Sequence, residues 1–274
     1  MNVYYTDLKE LSLDEIHDSL REMLQKINSV CDKHGIIYFL SGGTAIGAIR
    51  EKGFIPWDDD LDIMLPRRHY EKLITILEQE KGGFFKVYSL RDHSWNRPYS
   101  CLVDERTIGK HELVDYSHLG VTLDIFPMDG LPSSPSRARN YYRLLRLKYA
   151  LYYSALKVSY GPQEKLIFLK KLIAVVTKKI GAHPICMHID NTAKKCSYDK
   201  SEYVGCSVLI HFMEKERFKK EWFEKQLFVP FEGEKYPVMN GYDEYLTTLY
   251  GNYMKRPEQE GNPDHHTKYY WKYK

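Results

Sequence analysis

The run Pro56-Trp57-Asp58-Asp59-Asp60-Leu61-Asp62-Ile63-Met64-Leu65 sets four carboxylates within five positions, directly against an apolar stretch. Successive strand residues face opposite sides. A strand over Leu61 to Leu65 therefore puts Asp60 and Asp62 on one face and Leu61, Ile63 and Leu65 on the other. Two residues of strand rise separate the two aspartates by about 6.5 Å at Cα. From there both carboxylates reach one cation, or a pair of cations about 3.5–4 Å apart. Like charges this close raise each other's pKa unless a cation neutralises them, and hard oxygen ligands select Mg²⁺ or Mn²⁺. A merely solvated acidic loop would not need to sit inside an apolar strand pattern.

Val121-Thr122-Leu123-Asp124-Ile125-Phe126 repeats the arrangement, with Val121, Leu123 and Ile125 on one face and Asp124 on the other. A carboxylate embedded in an apolar strand needs a partner, and a third metal ligand or a base for an incoming hydroxyl supplies the reason. Asp129, just beyond, reads as a turn residue. Upstream, Ser41-Gly42-Gly43-Thr44 lies between an apolar run, Ile36 to Leu40, and a helix start. Glycines there permit close backbone approach, and a helix N-terminus offers free N–H groups to an anion. Arg50 and Lys52 follow on the same short element, within reach of phosphate oxygens.

These groups need a scaffold, and the patterning supplies one. Ser12-Leu13-Asp14-Glu15 is a capping box opening a helix whose apolar positions recur to Val30, with Gly35 as its stop. Strands are expected at Ile36–Leu40, Leu61–Leu65, Phe84–Leu90, Ser100–Asp104 and Val121–Phe126, with helices at Ala45–Arg50 and Arg68–Glu80. The prolines, glycine and serines of Pro127 to Pro135 read as a connection. Residues 136 to about 198 look helical, with short strands near 203–209 and 227–239 and a helix over Tyr242–Tyr250. The fold class expected is α/β (α+β): a mixed-sheet core over residues 1–135, and a mainly helical subdomain over 136–274 whose C-terminal region completes the site.

Composition sets bounds. The 274 residues suffice for a sizeable core, and no stretch of about 18 uncharged apolar residues is present to span a membrane. The start carries no basic flank with an apolar run, so a cytoplasmic protein is expected. A net charge of +3 gives no case for nucleic acid. Cys186, Cys196 and Cys206, near His183 and His188, fit no compact zinc spacing and read as reduced thiols. Between Ser136 and Gly181, however, eleven Lys or Arg face a single acid, Glu164, interleaved with leucines and tyrosines. Such a basic amphipathic segment suits either a solvated helical face or peripheral contact with an anionic membrane surface.

The combination resembles a known family. The run Gly43-Thr-Ala-Ile-Gly-Ala-Ile-Arg50-Glu-Lys-Gly-Phe-Ile-Pro-Trp57-Asp58-Asp-Asp60-Leu-Asp62 is similar to the LicD family of phosphotransferases, related to fukutin. Tyr242 to Pro257 and His265-His266 also look like that family's C-terminal region. The resemblance implies a nucleotidyltransferase-like fold and transfer of a phospho-alcohol, typically phosphocholine, from a CDP-activated donor such as CDP-choline to a hydroxyl of a surface glycan or its lipid-linked precursor, with CMP released. Related members transfer ribitol phosphate. Under it, Asp60, Asp62 and Asp124 are the catalytic carboxylates, with Asp58 joining them as a metal ligand. Gly42, Gly43, Thr44, Arg50 and Trp57 would then lie around the donor. Trp57, Tyr99 and Tyr250 are candidate faces for a choline quaternary ammonium. Two rival readings keep the fold: a nucleotidyltransferase moving NMP to a small molecule, and a non-catalytic binding protein.

Overall fold

The computed structural model describes residues 8–80, 82–111, 119–157, 167–209, 211–257 and 267–272. The capping box is formed. Ser12 Oγ accepts from the Glu15 amide at 3.3 Å, and Glu15 returns the bond to the Ser12 amide at 2.9 Å. They open α1, Leu13–His34, which closes on Gly35 in the left-handed conformation at φ 60°. Its inner face, Ile16, Leu20, Met23, Leu24 and Ile27, is buried.

A mixed sheet carries the molecule. It runs β1 (Phe39–Leu40), β2 (Leu61–Pro66), β6 (Thr122–Leu131), β4 (Ser100–Asp104) and β3 (Phe85–Tyr88). Only β2 and β6 pair in parallel; the other neighbours are antiparallel. Beyond the end of β4, the far half of β6 is flanked by β7 (Tyr203–Gly205), which pairs with β8 (Phe218–Lys219). The long connection that this parallel pair requires starts with α3, Arg67–Gln79, and runs on through β3 and β4 before the chain enters β6.

Several elements differ from the sequence reading. The run Ile36–Leu40 forms a strand only at its last two residues. The glycines open α2 (Gly42–Ile46) themselves, and a π-turn over Gly47–Glu51 follows. Residues 127–131, read as a connection, continue β6. Pro127 pairs with Leu65 and falls in the gap between β4 and β7, where neither antiparallel ladder calls on its missing N–H. Asp129 is consequently no turn residue. It is 1% exposed, and Arg67 donates to both its carboxylate oxygens, with Nε to Oδ1 at 2.9 Å, while donating to Asp190 at 2.8 Å. Residues 107–111 and 267–271 form an antiparallel pair, β5 and β11, that no local pattern marked.

The helices α4 (Pro135–Leu156) and α6 (Ala182–Ala193) hold a second cluster in which Tyr142, Leu145 and Tyr149 meet Leu131, Ile185 and Ile189, and α5 (Ile167–Ile180) packs outside it against α4. A hairpin follows, β9 (Gln226–Phe231) and β10 (Glu234–Met239), and then α7 (Tyr242–Tyr250). The hairpin, α7 and Tyr253 join the main core with α1, β2 and β6. No helix among the described residues is long and apolar enough to cross a membrane.

Candidate active site

The parallel pairing of β2 and β6 brings Asp62 opposite Asp124 as register partners, while Leu61, Ile63, Leu123 and Ile125 fill the other face with no exposure. One acidic ridge thus crosses two strands. Asp60 and Asp58 extend it from the loop before β2, and that loop is fixed from α1. His17 donates through Nε2 to the Asp58 carbonyl at 2.7 Å and stacks on Phe54 with centroids 4.1 Å apart. Thr44 Oγ1 accepts from the Asp62 amide at 2.9 Å, and Ser41 donates its amide to the Asp62 carbonyl at 3.0 Å. The glycine segment is therefore tied to the aspartate strand through its backbone.

A cleft of about 450 Å³ opens on this ridge. Ser41, Gly42, Gly43, Asp58, Asp60, Asp62 and Asp124 form one side of it, and Phe212, Glu216, Tyr245, Leu249 and Tyr250 line it as well. A side chain at either glycine would crowd the aspartates. A Cβ on Gly43 would stand 2.9 Å from an oxygen of Asp58, and one on Gly42 would stand 3.2 Å from an oxygen of Asp62. Gly42 also has φ 55°, and its amide donates to Tyr245 Oη at 3.2 Å.

The ridge is electrostatically unfavourable as it stands. Loss of solvent, then the charges of Asp60, Asp124 and Asp58, raise Asp62 well above the ordinary value of 3.8. Asp60 is raised by the protein packed around it and by Asp58, Asp59 and Asp124, with a hydrogen bond to Asp58. Its side chain remains open toward the cleft, so the neighbouring charges are the firmer cause. Burial raises Asp124 too, against the Arg97 guanidinium and the hydroxyls of Tyr99 and Thr122. Arg97 stands 3.6 Å from Asp124 and lies over the rings of Trp95 and Tyr99.

Not every residue singled out in the sequence reaches the cleft. Thr44 acts beneath it, on the Asp62 backbone. Arg50 is occupied, donating to Glu51 at 2.7 Å and to the Tyr253 carbonyl at 2.8 Å, and the cleft lining does not include it. Trp57 sits half-buried in the turn before the aspartates, also outside the lining. Tyr99 and Tyr250 do line it. His265 and His266 lie outside the described residues. Arg97, Phe212, Glu216 and Tyr245 were missed. Arg97, Phe212 and Glu216 come from irregular segments with no periodicity to mark them, whereas Tyr245 lies on α7, inside the stretch Tyr242 to Pro257 that the resemblance picks out only as a whole.

Among the described residues no three His, Cys, Asp or Glu side chains already stand as a metal-holding group. The donor set nevertheless fits a hard cation in chemistry. It is all carboxylate, crowded enough to raise its own pKa values, and Asp124 Oδ1 is buried without a hydrogen bond.

Residues 35–132 match the family model described as LicD/FKTN/FKRP, nucleotidyltransferase domain. Over 270 residues the chain is 31% identical to a protein of Haemophilus influenzae named lipopolysaccharide cholinephosphotransferase LicD, covering 94% of this chain and 97% of that one. Shorter similarities reach two uncharacterized proteins: 37% identity over 71 residues in Rickettsia prowazekii, about a quarter of each chain, and 33% over 64 residues in Rickettsia typhi.

Proposed function

The chain belongs to the LicD family of phosphotransferases, and on that premise we propose that it transfers phosphocholine from CDP-choline to a hydroxyl of a cell-surface glycan or its lipid-linked precursor, releasing CMP. The observation that carries the reading is the register of β2 and β6. It sets Asp62 and Asp124 side by side on the wall of a cleft whose rim is Gly42 and Gly43. Asp60 and Asp62, with Asp58, would hold Mg²⁺ or Mn²⁺, which when bound neutralises the donor's diphosphate. The side-chain-free edge at Gly42 and Gly43 gives that diphosphate close approach to the backbone. Asp124, raised by burial, accepts the proton of the acceptor hydroxyl. That oxygen bonds to the phosphorus bearing choline, the bond from this phosphorus to the bridging oxygen breaks, and CMP departs with that oxygen. Arg97, held 3.6 Å from Asp124, keeps the carboxylate oriented.

The product identifies the reaction. Incubation with Mg²⁺, an acceptor glycan and CDP-choline, CDP-ribitol or CDP-glycerol is expected to release CMP with CDP-choline in preference. Preference for either polyol donor would reassign the transferred alcohol, and pyrophosphate released from a nucleoside triphosphate would reassign the reaction to nucleotidyl transfer.

An acceptor built on a lipid carrier calls for contact with its membrane, at the cytoplasmic face under this reading, and α5 offers the surface. Phe168 is 82% exposed, and Leu169, Leu172, Val175, Val176 and Ile180 are exposed along the same helix. Lys170, Lys171, Lys178 and Lys179 are interspersed with them. The apolar side chains would enter the interface while each lysine contributes about 1 kcal/mol near anionic lipid. Co-sedimentation with anionic vesicles at low salt is the expected result, weakening at high salt and with neutral vesicles. Equal recovery in the supernatant in every condition would confine these helices to the fold.

A further inference from the structure

Glu216 is 3% exposed, lines the cleft, and carries a buried Oε2 that accepts no hydrogen bond. Its place is fixed on every other side. Its amide donates to the Met213 carbonyl at 2.9 Å, and its own carbonyl accepts from Tyr142 Oη at 2.9 Å. The Cys206 amide bonds to the carboxyl group. Gly205 lies so close that a Cβ there would stand 1.9 Å from the Glu216 carbonyl oxygen. No lysine, arginine or histidine among the described residues forms an ion pair with the carboxylate, and burial pushes its pKa up to about 8. A carboxylate held rigidly without a countercharge is costly to the fold. Something other than stability explains why a carboxylate stands there.

Its surroundings identify the missing partner. Phe212 and Tyr250 line the same cleft and meet edge to face, with centroids 5.0 Å apart. Leu209 and Leu249 complete an apolar wall. Tyr250, 38% exposed, neighbours both Glu216 and the acidic ridge: beyond the packing around it, the charges that raise its hydroxyl are Asp62, Glu216, Asp60 and Asp58. One end of the cleft is thus built for a phosphate with its cations, and the other for a charge surrounded by hydrocarbon. A primary ammonium needs several acceptors for its N–H donors. A quaternary ammonium has none and is satisfied by one carboxylate and ring faces. We infer that Glu216, Phe212 and Tyr250 form the subsite for the quaternary ammonium of the donor alcohol, and that Glu216 is the residue that selects choline over uncharged alcohols.

This inference rests on the phosphocholine reading, and calorimetry separates the two. CDP-choline, CDP-glycerol and CDP are titrated into the full chain as wild type, Glu216→Gln and Phe212→Leu, with thermal melts confirming that each variant folds. Wild type is expected to bind CDP-choline more tightly than CDP-glycerol. Glu216→Gln should weaken CDP-choline by about 10- to 30-fold, and Phe212→Leu by a few fold, with CDP unchanged in both. If wild type prefers CDP-choline and Glu216→Gln keeps that preference, the subsite lies elsewhere while phosphocholine transfer stands. If wild type shows no preference for CDP-choline, both the reading and the subsite fail. Equal weakening of CDP and CDP-choline would make Glu216 a structural residue and overturn the inference.

Discussion

Alanine at Asp60 or at Asp62 is expected to reduce transfer by about three orders of magnitude or more, since metal-borne stabilisation of a phosphoryl transfer amounts to several kcal/mol at about 1.4 kcal/mol per tenfold. EDTA added to the intact protein should reproduce the loss, and Mg²⁺ should restore it. The same substitutions should leave the fold intact or make the metal-free protein more stable, because each removes a charge from a ridge that lacks compensation. The pH dependence has a definite sign. Asp60 and Asp62 are both raised above the ordinary value of 3.8, so the fold favours their protonated forms. That stability is complete below this value and is lost as pH climbs through the raised range. Metal-free protein should therefore melt at a falling temperature from mildly acidic pH upward, and Mg²⁺ should flatten the trend in wild type but not in Asp62→Ala. Full activity in EDTA would sink the metal account altogether.

At Asp124 the expected result is a loss of turnover of about two to four orders of magnitude on substitution by asparagine, with donor affinity little changed. Asparagine keeps the size and can still meet Tyr99, but it cannot take a proton from the acceptor hydroxyl. It also leaves Arg97, 3.6 Å away, facing a neutral group. The competing account makes Asp124 a countercharge for Arg97 and nothing more. In that case Asp124→Asn would lower the melting temperature while the folded fraction kept its specific activity. Burst and steady-state kinetics on the soluble fraction, read beside the melt, separate the two outcomes.

The residues that carry most of this argument were visible because their signals are local. Alternation within Asp60 to Leu65 and within Val121 to Phe126 fixed which side chains share a face, and the capping box fixed α1. What alternation does not contain is partnership. That Asp62 stands opposite Asp124, rather than one step along, depends on the parallel register of β2 and β6, set by core side chains distributed over the whole chain. Arg67 and Asp129 were legible only as types, because their pairing joins a helix start to a strand 62 positions away. Glu216 lies just past a single 3₁₀ turn at Met213–Lys215, where no periodicity exists to read. Arg50 shows the complementary limit. A basic residue after a glycine turn looks placed for phosphate, yet Glu51 and the Tyr253 carbonyl already engage it.

The pairing of β11 with β5 has a consequence for the order in which the protein can be completed. Leu11 donates to the Tyr269 carbonyl at 2.8 Å, Trp271 donates its amide to the Lys9 carbonyl at 3.0 Å, and Trp271 Nε1 reaches Glu15 across 256 positions. Tyr269, half-buried, senses the charges of Asp59, Arg97, Asp124 and Asp60, so this strand forms part of the surroundings of the acidic ridge. On the ribosome, α1 emerges among the first segments and β11 more than 250 residues later. The clasp between them cannot close during synthesis of the sheet, although the loop entropy of so distant a closure rises only slowly with length. A nascent chain can therefore assemble β2 and β6 while the acidic ridge still lacks part of its enclosure. This part of the enclosure is added only after residues 267–271 have been synthesised.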